Sequence, residues 1–327
     1  MRENGVTDRR TMIGGLMACG AIPGIALAAR TPSPSGRLLS IRGTRLWVDD
    51  TGPRSAPALV YMHGGPGVGA LEFETYMKPA LANRVRLISV DQRGVLRSDA
   101  VAKTAKISVA DIVADFEDIR RSLGIARWHV LGHSFGGMLA VQYALAHPDR
   151  VTRLSLENPA YDATASAHWV AAAAAQALNG VAPDAAVAAN LLASPTTPVD
   201  ATFFDKLGPA MAALGTHRQD LYVVQAKNRD MFSRLAKSSG LPDARWEQGQ
   251  IAGVALLHSP DFYSALIPRI KDIACPILYV RGSGDHATSP DEIAALLAAK
   301  AKMITVPNAG HFIHVEEPAA LANLLLA

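Results

Sequence analysis

The sequence predicts an α/β fold, with a mostly parallel central sheet, helices on both faces and a helical cap inserted in the second half. Three observations carry that expectation. Short apolar runs bounded by turn residues alternate with segments of helical period from residue 37 to about 160. An Ala-rich stretch without a clear strand interrupts the alternation from Tyr161 to Leu257. The alternation resumes at Pro276 and runs to the end. The cap is therefore expected over 161–257, inside a core made of 31–160 and 258–327.

Residues 1–30 stand apart. A polar, basic stretch ends at Arg9-Arg10, and an apolar run follows from Met12 to about Ala29. This is the layout of an export signal, and paired arginines before a Gly-rich apolar run resemble a twin-arginine signal. Gly14, Gly15, Gly20, Pro23 and Gly24 would weaken a buried helix there and make a poor membrane anchor. Ala26-Leu27-Ala28 offers a small-x-small cleavage site. Leu16-Met17-Ala18-Cys19 faintly resembles a lipoprotein box, a second reading in which Cys19 is lipidated. The expected destination is periplasmic or secreted, with no stable membrane insertion after cleavage.

Residues 31–36 read as a short linker. Arg37–Arg42 and Arg45–Asp50 form a hairpin around Gly43-Thr44. Ala58–Met62 and Val85–Val90 are short apolar runs with the character of buried strands. Ser108 caps a helix to about Leu123, with Val109, Ile112, Val113, Phe116 and Ile119 at helical spacing. Arg127–Leu131 is a strand, Gly136–Ala146 a helix and Val151–Leu156 a strand. After the cap come a strand at Pro276–Val280, a helix opening at Ser289-Pro290, a strand at Lys302–Val306 and a helix at Glu316–Leu326. Cys275, before a strand, reads as a small core residue.

The strongest chemical signal is Gly132-His133-Ser134-Phe135-Gly136, between a strand and a helix. A G-x-S-x-G turn in that context presents its serine as a nucleophile, with the helix N-terminus favouring negative charge. A serine hydroxyl is a weak nucleophile and needs a base, which needs an orienting acid. Asp285, in Gly282-Ser283-Gly284-Asp285, and His311, in Asn308-Ala309-Gly310-His311, follow the next strands in that chain order. All three fall at one sheet edge. The rivals are Asp291, His286 and His314, with Asp162 the best alternative acid. His63-Gly64-Gly65-Pro66-Gly67 follows strand Ala58–Met62. Such glycines let backbone N–H groups face an oxyanion, a role expected for Gly65, its neighbour Gly64, and Phe135.

These motifs, with Asp91-Gln92-Arg93-Gly94, resemble the prolyl iminopeptidase branch of the α/β hydrolases over about 37–160 and 262–327. The resemblance implies an α/β-hydrolase fold and a serine acyl-enzyme that releases an N-terminal residue from a peptide or amide. It implies Ser134, Asp285 and His311 as a triad, Gly65 and Phe135 as oxyanion donors, and a bracing role for Asp91–Gly94. It also implies cap carboxylates that hold a free amine. Trp246-Glu247 matches a Trp-Glu pair of that family, and with His63 these residues are expected to line the substrate site. The chain departs from the family at Leu96, where a glycine is expected, and at the elbow, where Gly-His-Ser-Phe-Gly replaces Gly-Gly-Ser-Trp-Gly.

Composition bounds the alternatives. A net charge of +3 without a basic run gives no nucleic-acid footprint. No ligand spacing suggests a metal, and no Gly-Lys-Ser/Thr makes a P-loop after Gly64–Gly69. No cofactor is expected, and the partner is a small-molecule or short-peptide substrate. An apolar cap keeps a carboxylesterase or lactonase open as the second reading. A binding protein without catalysis would require a broken serine, acid and histidine set.

Overall fold

The computed structural model describes residues 36–327; the expected export segment, with Arg9, Arg10 and Cys19, lies outside them. Eight strands form one sheet in the order β1-β2-β4-β3-β5-β6-β7-β8. β1 (Gly36–Ile41) and β2 (Thr44–Thr51) make an antiparallel hairpin, and β2 lies antiparallel on β4 (Arg86–Val90). From β4 onward the neighbours run parallel: β3 (Ala58–Met62), β5 (Trp128–His133), β6 (Val151–Glu157), β7 (Ile277–Gly282) and β8 (Lys302–Val306). Every residue of β4 is buried, as a strand covered on both faces requires. The strands end one or two residues later than the apolar runs suggested, because His133, Glu157 and Gly282 still pair with neighbours.

Alternation along β3 divides the core. Leu59 and Tyr61 face α1 (Leu71–Leu81) and the C-terminal helices, with Phe73, Met77, Leu131 and Leu321. Val60 and Met62 face α2 (Val109–Ser122) and α3 (Phe135–Ala146), with Phe116, Met138 and Leu139. Ser108 opens α2 through a capping box with Asp111. α1 lacked a sequence signal: Ala70 offers no capping side chain and Pro79 sits inside the helix. Packing of Phe73, Met77 and Leu81 makes it.

The cap segment holds α4 (Ala163–Leu178), α5 (Pro183–Leu192), α6 (Ala201–Ala213), α7 (Met231–Ser239) and α8 (Asp243–Leu257), with short 3-10 turns between. Helices α4 to α6 share their own core of alanines with Leu178, Phe203, Leu207 and Met211. α8 instead lies on the loop after β3. A Cβ at Gly249 would stand 2.1 Å from the Gly67 carbonyl oxygen, and one at Gly67 equally close to the Gly249 oxygen. Only glycines permit this backbone contact.

At the other end, Asp162 caps α4 and accepts N–H bonds from Leu266 and Ile267 at 2.9 and 3.1 Å. Glu292, on α9 (Pro290–Ala298), accepts the N–H groups of Tyr161 and Asp162 and the Ser166 hydroxyl. The single helix expected at Glu316–Leu326 is two, α10 (Ile313–Glu316) and α11 (Pro318–Leu326). Pro318 lacks an N–H and pushes Glu317 out of helical geometry, so the break falls there. Among the described residues, no helix is long and apolar enough to cross a membrane.

Candidate active site

Ser134 joins β5 to α3 with φ 54° and ψ −126°, a conformation costly for any residue but glycine. The turn is this tight because α3 presses on β3. A Cβ at Gly136 would lie 1.9 Å from the Met62 carbonyl oxygen. The strained turn lifts Ser134 above the strand ends, where it lines a cavity of about 400 Å³.

His311 lines the same cavity, and its Nδ1 lies 2.8 Å from Oδ1 of Asp285. Asp285 is buried and also accepts N–H bonds from Ala287 (3.2 Å) and Thr288 (3.1 Å). Burial alone would raise its carboxyl, but the His311 bond and charge and those two donors outweigh it and hold it below the usual range. The carboxylate therefore fixes the proton of His311 on Nδ1 and leaves Nε2 as an acceptor. The loop carrying His311 is pinned from several sides. Its N–H donates to the Tyr222 carbonyl at 2.7 Å, and Asn158 Nδ2 and His133 Nε2 donate to its own carbonyl. The Gly310 N–H donates to Glu316 at 2.6 Å.

The rivals lie elsewhere. Asp291 and His286 are exposed, and Asp162 is committed to the cap junction. His314 is fully buried between Glu157, at 2.8 Å from Nδ1, and Glu72, which bonds Nε2. Burial would lower its pKa, but the two carboxylates push it up to about 10. The ligand atoms of His133, Glu157 and His314 lie within 4.8 Å of one another. An imidazolium with both nitrogens engaged has no lone pair for a metal, so this cluster is an ion network.

Gly64, Gly65 and Phe135 also line the cavity. Among the described residues, the N–H groups of Gly65 and Phe135 have no acceptor. His63 has a different position from that expected of a substrate contact. It is fully buried and outside the cavity wall. Burial lowers it to about 4, so the ring is neutral. Nε2 faces the Gln92 N–H at 3.2 Å, while Nδ1 faces both the Gly64 carbonyl oxygen at 2.9 Å and the Gly69 N–H at 3.3 Å; the one ring proton is assigned to Nδ1, where it serves the shortest of the three contacts. A trans peptide points its N–H opposite its C=O. His63 thus turns the Gly65 N–H away from itself, and it positions the loop without touching the cavity. Asp91 braces the same region, holding Arg97 at 2.6 Å and the Ala70 N–H at 2.8 Å.

Trp246 and Glu247 are likewise outside the cavity: Trp246 packs on the core and Glu247 is exposed. The cavity meets α8 only at its far end, at Val254, Leu257 and His258. Glu247 precedes Val254 by seven residues, roughly 10 Å along the axis. Charged cavity residues without a sequence motif are Glu72, Asp205 and Arg218. Asp205, beside Lys206, and Arg218, two residues before Asp220, belong to no motif legible in the sequence.

The family whose sequence profile is described as the alpha/beta hydrolase fold matches residues 57–318. A proline iminopeptidase of Xylella fastidiosa is 37% identical over 129 residues, which are 39% of this chain and 40% of that protein. One from Neisseria gonorrhoeae is 35% identical over 130 residues, 39% of this chain and 41% of that protein. The chain thus spans about two fifths of the length of these curated relatives. A proline iminopeptidase-related protein from Thermus thermophilus superposes with a TM-score of 0.70 at 24% identity, covering 89% of this chain and 95% of that one. With the sheet order, the strained serine turn and this match over most of its length, the chain belongs to the alpha/beta hydrolase fold family.

Proposed function

We propose that the chain is a serine hydrolase that cleaves the amide bond after a free N-terminal residue through an acyl-enzyme. The observation that carries this reading is one cavity walled by Ser134, His311 and two unpartnered N–H groups, with Asp285 behind the histidine. Ser134 Oγ attacks the carbonyl carbon while its proton passes to His311 Nε2. The tetrahedral oxyanion is held by the N–H groups of Gly65 and Phe135, each contributing about 3–4 kcal/mol. Collapse breaks the C–N bond, and His311 returns the proton to the leaving amine. Water then adds to the acyl carbon, gives its proton to His311, and the Ser134–acyl bond breaks as that proton returns to Ser134.

The similarity to proline iminopeptidases supports an amide substrate with a free amine. Asp205 replaces Glu247 as the carboxylate for that amine. It is exposed at the cavity wall on α6, and no salt bridge to it is found among the described residues. The cavity is otherwise dominated by apolar side chains, including Met138, Val170, Phe204 and Met211, which favours a second reading as a carboxylesterase or lactonase. We also assign residues 1–30 as an export signal on their twin-arginine layout.

The test compares kcat/KM on prolyl- and alanyl-naphthylamide, their N-acetyl derivatives, and naphthyl acetate and butyrate. Faster turnover of the free-amine amides, lost on acetylation, is expected. Turnover of the esters alone would replace the aminopeptidase reading with the second one.

A further inference from the structure

We propose that Arg218 recognises a carboxylate on the leaving group, so that the substrate is an amide or ester whose departing half is an acid, of which a free dipeptide is the simplest amide. This deepens the reading above and rests on Ser134 and His311 acting there as described.

Arg218 lines the cavity from the 3-10 turn Gly215–Leu221 and is half-buried. It has no hydrogen bond or ion pair among the described residues. The acid nearest in sequence is engaged elsewhere: Asp220 pairs with Arg229 at 2.7 Å and with His217 at 3.2 Å. A half-buried guanidinium without a carboxylate is unusual, because its desolvation goes uncompensated until an anion arrives. Its planar fork matches a carboxylate in two parallel bonds.

Position decides which half of the substrate carries that carboxylate. Arg218 lies four residues before Tyr222, and its charge acts on the Tyr222 hydroxyl. The Tyr222 ring meets the His311 ring edge-on, with centroids 5.6 Å apart. Arg218 is therefore on the histidine side of Ser134. His311 protonates the leaving group, so the departing half lies on that side as well. Asp205 lies at the cavity wall near different rings. Its charge acts on Tyr263, which packs on Phe262, and Phe262 stacks on Phe135 with centroids 5.6 Å apart. Phe135 supplies one of the two oxyanion N–H groups. A cavity that offers one carboxylate and one guanidinium matches the two ends of a zwitterionic dipeptide. In such a substrate the carboxylate is separated from the scissile nitrogen by a single carbon, which keeps it within the reach of a side chain beside His311.

The experiment measures kcat/KM on two matched pairs, alanyl-alanine against alanyl-alaninamide and 3-acetoxybenzoate against its methyl ester. In each pair a neutral derivative replaces the free carboxylate of the leaving half, and release of the acetyl or alanyl half is what is measured. Wild type is expected to prefer the free acid by about 10- to 100-fold, the range for a hydrogen bond to a charged group. Arg218→Gln is expected to bring the ratio close to one, and Arg218→Lys to keep part of it. Preference for the acid in the ester pair, with no turnover of either amide, sinks the aminopeptidase reading and leaves Arg218 assigned. A wild-type ratio near one in whichever pair turns over overturns the Arg218 assignment. So does a preference that persists in Arg218→Gln.

Discussion

The buried His314 makes a stability prediction that can be worked from its surroundings. Its imidazolium is fully buried and held by Glu157, also fully buried, and by Glu72, which is 4% exposed at the cavity wall. The folded chain binds this proton up to about pH 10, whereas an ordinary histidine releases it near 6.5. Over that interval the folded state carries one more proton than the unfolded state, so stability falls as pH rises. At about 1.36 kcal/mol per pH unit the whole interval amounts to roughly 5 kcal/mol. The contribution is complete below pH 6.5, has lost about 2.7 kcal/mol by pH 8.5, and is gone above pH 10. Urea unfolding of the wild type at half-unit steps from pH 6 to 10 reads the slope. The same series on a variant combining His314→Gln, Glu72→Gln and Glu157→Gln removes the imidazole and its two carboxylate partners at nearly constant volume. The difference in unfolding free energy between the two proteins should fall by about 1.4 kcal/mol per pH unit through this range. Equal slopes in the two proteins would refute the assignment of a charged His314. The variant itself is expected to fold, since replacing a buried ion network with neutral groups of similar size is often neutral or stabilising.

Two further outcomes concern the site. Asp285→Asn places an amide NH2 against His311 Nδ1 and shifts the imidazole proton to Nε2. We expect kcat to fall by about 10⁴ with KM little changed, as the analogous change does in a serine protease, and a fall of less than tenfold would argue against Asp285 as the orienting acid. His63→Ala frees the Gly64–Gly65 peptide to rotate, and losing one oxyanion donor lowers kcat by up to about 10²–10³. A readout through KM alone would show that His63 does not aim the Gly65 N–H.

The alternation of apolar runs and helical periods made the fold class legible, because each buried strand of a parallel sheet is a short continuous run. Ser134, Asp285 and His311 could be named together because each stands beside glycines just past a strand, and parallel strands deliver such positions to one edge. Side chains contributed by the cap follow no such rule. Asp205 and Arg218 reach the cavity through the packing of α6 and of a 3-10 turn, neither of which has a periodic mark. Trp246-Glu247 drew notice as a dipeptide, yet distance along α8 keeps it from the cavity. The motif His63-Gly64-Gly65 gives the histidine's proximity to the site without its direction. The role of His63 follows from the contact of Nδ1 with the Gly64 carbonyl. The helix α1 leaves no mark in the sequence because it has no capping side chain and contains a proline.

The interlocked backbones of Gly67 and Gly249 bear on how such a chain can acquire new substrates. A side chain at either position would wedge α8 off the loop that carries Gly65 and shift the N–H proposed as an oxyanion donor. Position 249 is thus tied to chemistry although it belongs to the selective part of the molecule. Helices α4 to α6, which share a separate core, are free of that tie. Chimaeras that exchange residues 163–213 for the matching segment of another hydrolase should inherit the donor's selectivity and keep the host's rate-determining machinery, whereas a graft extending through α8 would have to bring its own partner loop.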